Sequence, residues 1–472
     1  MSSVAVAVER PTRPPLRHTF LSLRNYNYRL FFFGQMVSLI GTWMQSTALA
    51  WLVLQQTNSP LALGTVYTAQ FLPVLLLSLF GGVFADRFAK HRLVIALQSV
   101  LALQAVALAL VTGFGLISLP AIYLLTAIQG TANALENPAR QSFVIEMVGR
   151  DDLPNAVALN SSLVQMTRLV GPALGGLCVA WLGPADCFAI NAVSFVAVLA
   201  GLLYMKPSRL RPSATPQRAN VLRQVGEGLR YAVTTPDILL IVITMGLLGL
   251  FGYNFQVFLP LIADYVLRTS ALGYGLLTSA LAAGSLAATL AVAYAGRASR
   301  RVLLLGATSF SIVLLTVGLA RWWALLVPLL LVLGFSSSVF TATTNSRIQL
   351  IVPPQLRGRT MSIYMLLFAG TTPIGSALVG AAAQRLGVQP TIALMGMLCI
   401  LGVVAAHLYL RRVRGRLLPD RMVDGTLMFD DAPTAPGGQP ERAPALLAER
   451  GRGSGHERRS LRLGAAQRDS AT

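Results

Sequence analysis

From Leu30 onward the chain is a succession of apolar runs separated by short polar breaks. A run of about 20 apolar residues, wound as an α-helix, spans the hydrocarbon of a bilayer. A helix also satisfies its own backbone hydrogen bonds where no water is present. The pattern predicts spans at 30–54, 61–84, 93–112, 119–143, 156–181 and 187–205. After a polar stretch it predicts six more, at 238–260, 272–295, 302–320, 323–342, 361–383 and 390–410. The breaks carry turn chemistry: Asn58-Ser59-Pro60, Gly113-Phe114-Gly115, Leu182-Gly183-Pro184 and Gly387-Val388.

The predicted fold class is an all-α polytopic membrane protein with twelve transmembrane helices in two pseudo-symmetric six-helix bundles. Its parts are an N-terminal arm (1–29), a first bundle (30–205), a linker (206–237), a second bundle (238–410) and a tail (411–472). Weak internal repetition supports two halves. Asn137-Pro138-Ala139-Arg140 followed by Gly171-Pro172 in the first is echoed by Thr344-Asn345-Ser346-Arg347 followed by Thr372-Pro373-Ile374-Gly375 in the second. Repeated halves of this kind suit alternating access to a substrate site between them.

Composition narrows the class. Of 472 residues, 54% are hydrophobic and 12% charged, about half the charged share of a typical soluble domain. The net charge of +20 would otherwise suggest a nucleic-acid partner, but the basic residues sit between apolar runs. With the N-terminus inside, 34 of the 38 Lys and Arg fall in inside segments; Arg268, Arg321 and Arg385 fall outside, and Arg168 lies within a span. That asymmetry predicts two cytoplasmic termini. The first 30 residues lack the apolar core and cleavage site of a signal peptide. Within the linker, Val221–Arg230 is amphipathic, expected to lie along the cytoplasmic face with its arginines toward anionic lipid headgroups. The tail reads as a disordered cytoplasmic segment.

Cys178, Cys187 and Cys399 read as small buried hydrophobes, and neither they nor the four histidines have metal-ligand spacing. No phosphate-binding glycine loop occurs. The expectation is a transporter and no enzyme, monomeric, with a small-molecule substrate, without cofactor or metal, driven by an ion or proton gradient rather than ATP; an uptake or lipid-like solute carrier and a non-transporting membrane sensor are the alternatives.

The strongest local motif is Gly82-Val83-Phe84-Ala85-Asp86-Arg87, followed by Lys90-His91-Arg92, at the inner end of the second span. An acid there can pair with a cation or a helix end on a neighbouring bundle and lock one conformation. This segment resembles the loop signature of the major facilitator superfamily, with Ala89 where that signature has glycine. The second-half counterpart, Ala295-Gly296-Arg297-Ala298-Ser299-Arg300-Arg301, lacks the acid. Arg24-Asn25-Tyr26-Asn27-Tyr28-Arg29, Gly41-Thr42-Trp43-Met44-Gln45, Asn137-Pro138-Ala139-Arg140-Gln141 and Arg357-Gly358-Arg359-Thr360-Met361-Ser362 are similar to the exporter branch that holds the enterobactin exporter and macrolide efflux proteins. The resemblance implies outward secondary transport of a small organic molecule against proton entry, with Gly82, Asp86, Arg87 and Arg92 as the gate. Gly171, Pro172, Gly175 and Gly176 resemble the core of the fifth-helix antiporter motif. Thr126 stands where related drug antiporters have an arginine.

Charges inside spans are costly unless paired or hydrated, which makes Glu136, Arg140 and Arg168 candidates for coupling. Glu136 and Arg140 are four apart on one helix face, so a structural ion pair of Glu136 with Arg140 or Arg168 is the competing reading. Arg168 also suits an anionic substrate. Asp264 and Arg268 read as an outer surface pair. Substrate contacts are expected from Gln35, Trp43 and Gln45 in the first span and Tyr253, Asn254 and Gln256 in the seventh.

Overall fold

A computed structural model of the chain describes residues 16–211, 221–295 and 299–417. Long helices follow one another: α1 (Tyr26–Thr57), α2 (Pro60–Arg87), α3 (Lys90–Gly113), α4 (Leu119–Val148), α5 (Leu153–Trp181) and α6 (Pro184–Leu203). Then come α7 (Val221–Thr234), α8 (Pro236–Phe251), α9 (Phe255–Leu261), α10 (Ala271–Ala295), α11 (Arg300–Leu319), α12 (Trp323–Ile351), α13 (Pro354–Leu386) and α14 (Val388–Leu417). The predicted turns end helices as their chemistry dictates. Asn58 closes α1 in the left-handed region (φ 47°), and Pro60 opens α2. Gly183 and Gly387 take φ of 94° and 89° before α6 and α14.

Eleven helical segments among the described residues are long and apolar enough to cross a membrane. At the remaining predicted position stands α4, which has sufficient length at 30 residues. Its polar line Gln129, Asn133, Glu136, Asn137 and Arg140 lowers its apolarity. The seventh span differs from expectation. It is discontinuous, with α8 and α9 separated at Gly252-Tyr253-Asn254 and a π-helical turn following at Ile262–Val266. At the ends, a 3-10 helix (Leu16–Arg24) precedes α1, which itself starts before residue 30. The last helix runs past residue 410 to Leu417. The remainder of the tail, from 418, lies outside the described residues.

Packing repeats between the halves. The pairs α2–α4, α1–α6 and α3–α6 in the first bundle correspond to α10–α12, α8–α14 and α11–α14 in the second. The amphipathic linker segment forms α7, which packs on α13 and α8. Call the face where α1 begins and α14 ends the near face. There the Arg24–Arg29 stretch is a clamp. Asn25 Nδ2 donates to Asp152 (2.9 Å), and the Tyr28 hydroxyl donates to the Ala156 carbonyl (2.9 Å), which ties α1 to the start of α5. Asn27 exchanges two hydrogen bonds of 2.9 Å with the Lys206 backbone. Lys206, Arg209 and Arg29 surround the Tyr26 ring at 5.3, 5.8 and 6.0 Å.

Candidate functional site

The two bundles meet through α2 on α13 and α5 on α10. The contacts holding these crossings lie toward the far face. Thr68 Oγ1 donates to the Pro373 carbonyl (2.9 Å), Ser59 Oγ to Gln384 Oε1 (2.9 Å) and Ser279 Oγ to the Leu169 carbonyl (2.6 Å). Only glycines allow such closeness. A Cβ on Gly380 would sit 2.8 Å from the Pro60 carbonyl oxygen and 3.0 Å from the Gly64 Cα. On the other crossing, a Cβ on Gly176 would sit 2.9 Å from the Leu272 Cα. The Gly171-Pro172-Gly175-Gly176 segment thus forms two contacts. Gly171 and Gly175 face Trp43 and Met44 of α1, whereas Gly176 and the Pro172 carbonyl face α10.

Between these crossings lies a central cavity of about 310 Å³. Its first-bundle wall holds Trp43, Ser46, Phe71 and Arg168; its second-bundle wall holds Tyr253, Asn254, Gln256, Ser337, Ser338 and Phe368. The break in the seventh span is what places Tyr253 on the wall. The Tyr253 ring stacks on Phe310 at 5.0 Å, meets Phe368 at 5.7 Å, and donates its hydroxyl to the Ser337 carbonyl (3.1 Å). Asn254 is held by the Leu250 carbonyl (2.9 Å) and accepts from Ser376 (3.3 Å).

A second cavity, about 340 Å³, lies within the first bundle. Amides line it: Gln35, Gln45, Gln70, Gln98, Gln104 and Gln129. Glu136 and Arg140 lie at its wall, Glu136 Oε1 being 3.2 Å from Arg140 Nε and accepting from Gln98 Nε2 at 3.2 Å. Asn191 donates to Gln45 (2.7 Å), which donates to Gln104 (3.2 Å). Several amide oxygens, those of Gln35, Gln70, Gln98 and Gln129, are buried without a partner. A cavity of this size and polarity is suited to ordered water.

The candidate residues therefore divide. Trp43, Tyr253, Asn254 and Gln256 line the central cavity, whereas Gln35 and Gln45 belong to the inner one. Glu136 pairs with Arg140 and not with Arg168, which faces the central cavity with its guanidinium carbon 5.9 Å above the Trp43 ring. Asp264 and Arg268 form no ion pair with each other. Gly82, Asp86 and Arg87 lie in the last turns of α2, and their side chains fall outside the described residues. Arg92 is exposed at the start of α3.

Two neighbours in that loop have clear partners. Lys90 Nζ bonds Glu146 at 2.7 Å, and His91 Nε2 lies 2.8 Å from the Leu202 carbonyl while its ring stacks on Phe143. The start of α3 is thereby fastened to α4 and α6 of its own bundle. Sequence reading missed the Lys90–Glu146 pair, whose members are 56 positions apart. It also missed Phe71, which lines both cavities. No cluster of three or more His, Cys, Asp or Glu able to hold a metal occurs among the described residues.

Comparison with known proteins agrees with this architecture. The chain is 26% identical over 395 residues to the staphyloferrin A transporter of Staphylococcus aureus (82% of this chain, 98% of that one). It is 28% identical over 390 residues to the multidrug efflux pump Tap of Mycolicibacterium fortuitum (80% and 95%). It is 25% identical over 399 residues to the enterobactin exporter EntS of Escherichia coli (84% and 94%). Among solved structures, the nucleoside transporter NupG superposes with a TM-score of 0.66 at 11% identity (81% and 98% covered). A bacterial homologue of the lysosomal transporter Spinster gives 0.65 at 12% (82% and 97%). The sequence profile of the transmembrane secretion effectors, MFS_3, matches residues 17–420. The chain belongs to this family, and so is a multi-pass membrane transporter of the major facilitator superfamily.

Proposed function

We propose that the protein is a secondary active exporter of a small organic compound, working by alternating access and coupled to proton entry, with its near face in the cytoplasm of a bacterial cell. The observation that carries this reading is the central cavity, flanked by both bundles and drawn shut toward the far face by two glycine-lined crossings. Its lining mixes six aromatic side chains with hydroxyls and amides, a wall suited to an amphipathic ligand. Relatives named as an enterobactin exporter and a multidrug efflux pump support the outward direction. The near-face cations of the clamp, Arg29, Lys206 and Arg209, support a cytoplasmic orientation against anionic headgroups.

Coupling is assigned to Glu136. It is buried (4% exposed), beside a polar cavity, and its charge is balanced by Arg140. A proton arriving through ordered water would neutralise the carboxylate and release the arginine. The test compares metabolite export and drug susceptibility with and without the gene, then adds a protonophore. Export should collapse with the gradient and survive ATP depletion while the gradient is held; flux persisting without any gradient would overturn the reading. Glu136→Gln should abolish uphill export while retaining downhill exchange of substrate; retention of uphill export removes Glu136 from the coupling role.

A further inference from the structure

Among the described residues, Arg168 is the only Asp, Glu, Lys, Arg or His in the lining of the central cavity. Neither ion pair found among the described residues reaches it. The buried acid on the same bundle, Glu136, is ion-paired with Arg140 in the other cavity. The Trp43 ring lies against the guanidinium, and a ring face uses none of its five N–H donors. An arginine held within a membrane span without a counterion is costly, and such residues mark substrate or ion paths. Opposite it lie Tyr253 and Phe368, and Gln256 Oε1 is buried there with no partner.

We propose that the central cavity selects amphipathic organic anions. A carboxylate would seat on the Arg168 fork, an apolar or aromatic body would lie between Trp43 and the Tyr253–Phe368 wall, and a hydroxyl or amide donor would reach Gln256. This rests on the cavity being the substrate site. It excludes organic cations as preferred cargo, because the wall offers them a like charge and no acid. A carboxylate held by a planar guanidinium accepts two charge-assisted bonds at once, so charge and geometry act together.

The test uses two compounds of the same shape that differ in charge, 2-naphthoate and 2-naphthamide, binding to the full chain purified in detergent. The wild type should bind the carboxylate about tenfold tighter or more. Arg168→Gln should bring the ratio close to one, chiefly by weakening naphthoate binding, and Arg168→Lys should keep a reduced preference for the anion. Equal binding of both compounds by the wild type, failure of naphthoate to bind, or a preference that survives Arg168→Gln would each overturn the inference. The wild-type ratio decides even if a variant does not fold. In cells, gene-dependent export restricted to neutral or cationic compounds would overturn the anion inference and leave the export reading standing. The absence of any gene-dependent export would defeat the export reading, while the naphthoate ratio still reports on the cavity.

Discussion

Replacing Gly176 by alanine adds one methyl at the α5–α10 crossing. That methyl would lie 2.9 Å from the Leu272 Cα and 3.0 Å from the Ala271 carbonyl carbon, and nearer still to that carbonyl's oxygen. Carbon atoms in contact prefer about 3.5–4.0 Å, so the helices must part by about 0.5–1 Å. The neighbours are backbone atoms, which have no rotamer to escape into. Overfilling a packed contact costs about 1–3 kcal/mol. Helix propensity runs the other way, alanine being favoured over glycine by about 0.8–1 kcal/mol, so any loss belongs to the crossing. The strain exists only while the far end is shut. With two states a few kcal/mol apart, it moves their ratio toward the far-open state by about 5–150-fold.

The shift can be read with a cysteine at Ser338, on the wall of the central cavity. The native cysteines Cys178, Cys187 and Cys399 are all buried. In proteoliposomes, a membrane-impermeant maleimide is applied to each face in turn. Gly176→Ala should slow labelling from the near face and speed it from the far face. Gly226→Ala is the control, because a methyl there meets nothing within 4 Å. Labelling rates within about twofold of the parent on both faces, in protein of unchanged melting temperature, would refute the reasoning, since the crossing energy should exceed 1 kcal/mol.

Two further outcomes follow from the near face. The Lys90–Glu146 pair, with each side chain 14% exposed, should show a coupling of about 1 kcal/mol in a double-mutant cycle of melting in detergent. Exchanging the two residues should recover part of the loss, and a coupling below about 0.3 kcal/mol would remove the pair from the stability account. Asn27→Ala deletes both hydrogen bonds to the Lys206 backbone, a loss of about 1–3 kcal/mol. Limited trypsin digestion should then cut the linker about tenfold faster, by local opening; an unchanged rate would show that the strap does not hold the linker.

The positions of the spans were legible in the sequence because bilayer thickness fixes the length of each apolar run. The break in the seventh span was not, since Gly252-Tyr253-Asn254 interrupts the run too briefly to register as a gap. Three residues of weak helix propensity in succession were the available signal. The inner cavity had a clearer one. Gln35, Ser38, Thr42 and Gln45 recur at intervals of three and four, which puts them on a single face of α1, and all four line that cavity. Which cavity a polar face looks into depends on how neighbouring helices are arranged, and periodicity within one helix is silent on that. The Glu136–Arg140 pair, by contrast, is local in sequence, and its spacing alone made it readable.

The polar chemistry of the membrane interior is divided unequally, and the division offers the proposed coupling a physical route. Among the described residues, the first bundle supplies the charges of both cavities, a compensated pair in one and a single arginine in the other. The second bundle contributes aromatic rings, hydroxyls and amides to the shared wall. On α1, Gln45 faces the inner cavity while its neighbour Ser46 and nearby Trp43 face the central one. Phe71 of α2 borders both. Neutralising Glu136 would leave Arg140 in need of new acceptors, and the unpartnered amide oxygens across that cavity are the nearest supply. Any resulting turn of α1 or displacement of the Phe71 ring would be felt at once beside Arg168. On the proposed assignment of the proton to Glu136 and the substrate to the central cavity, the two occupy separate sites and still act on the same two helices, without competing for one carboxylate.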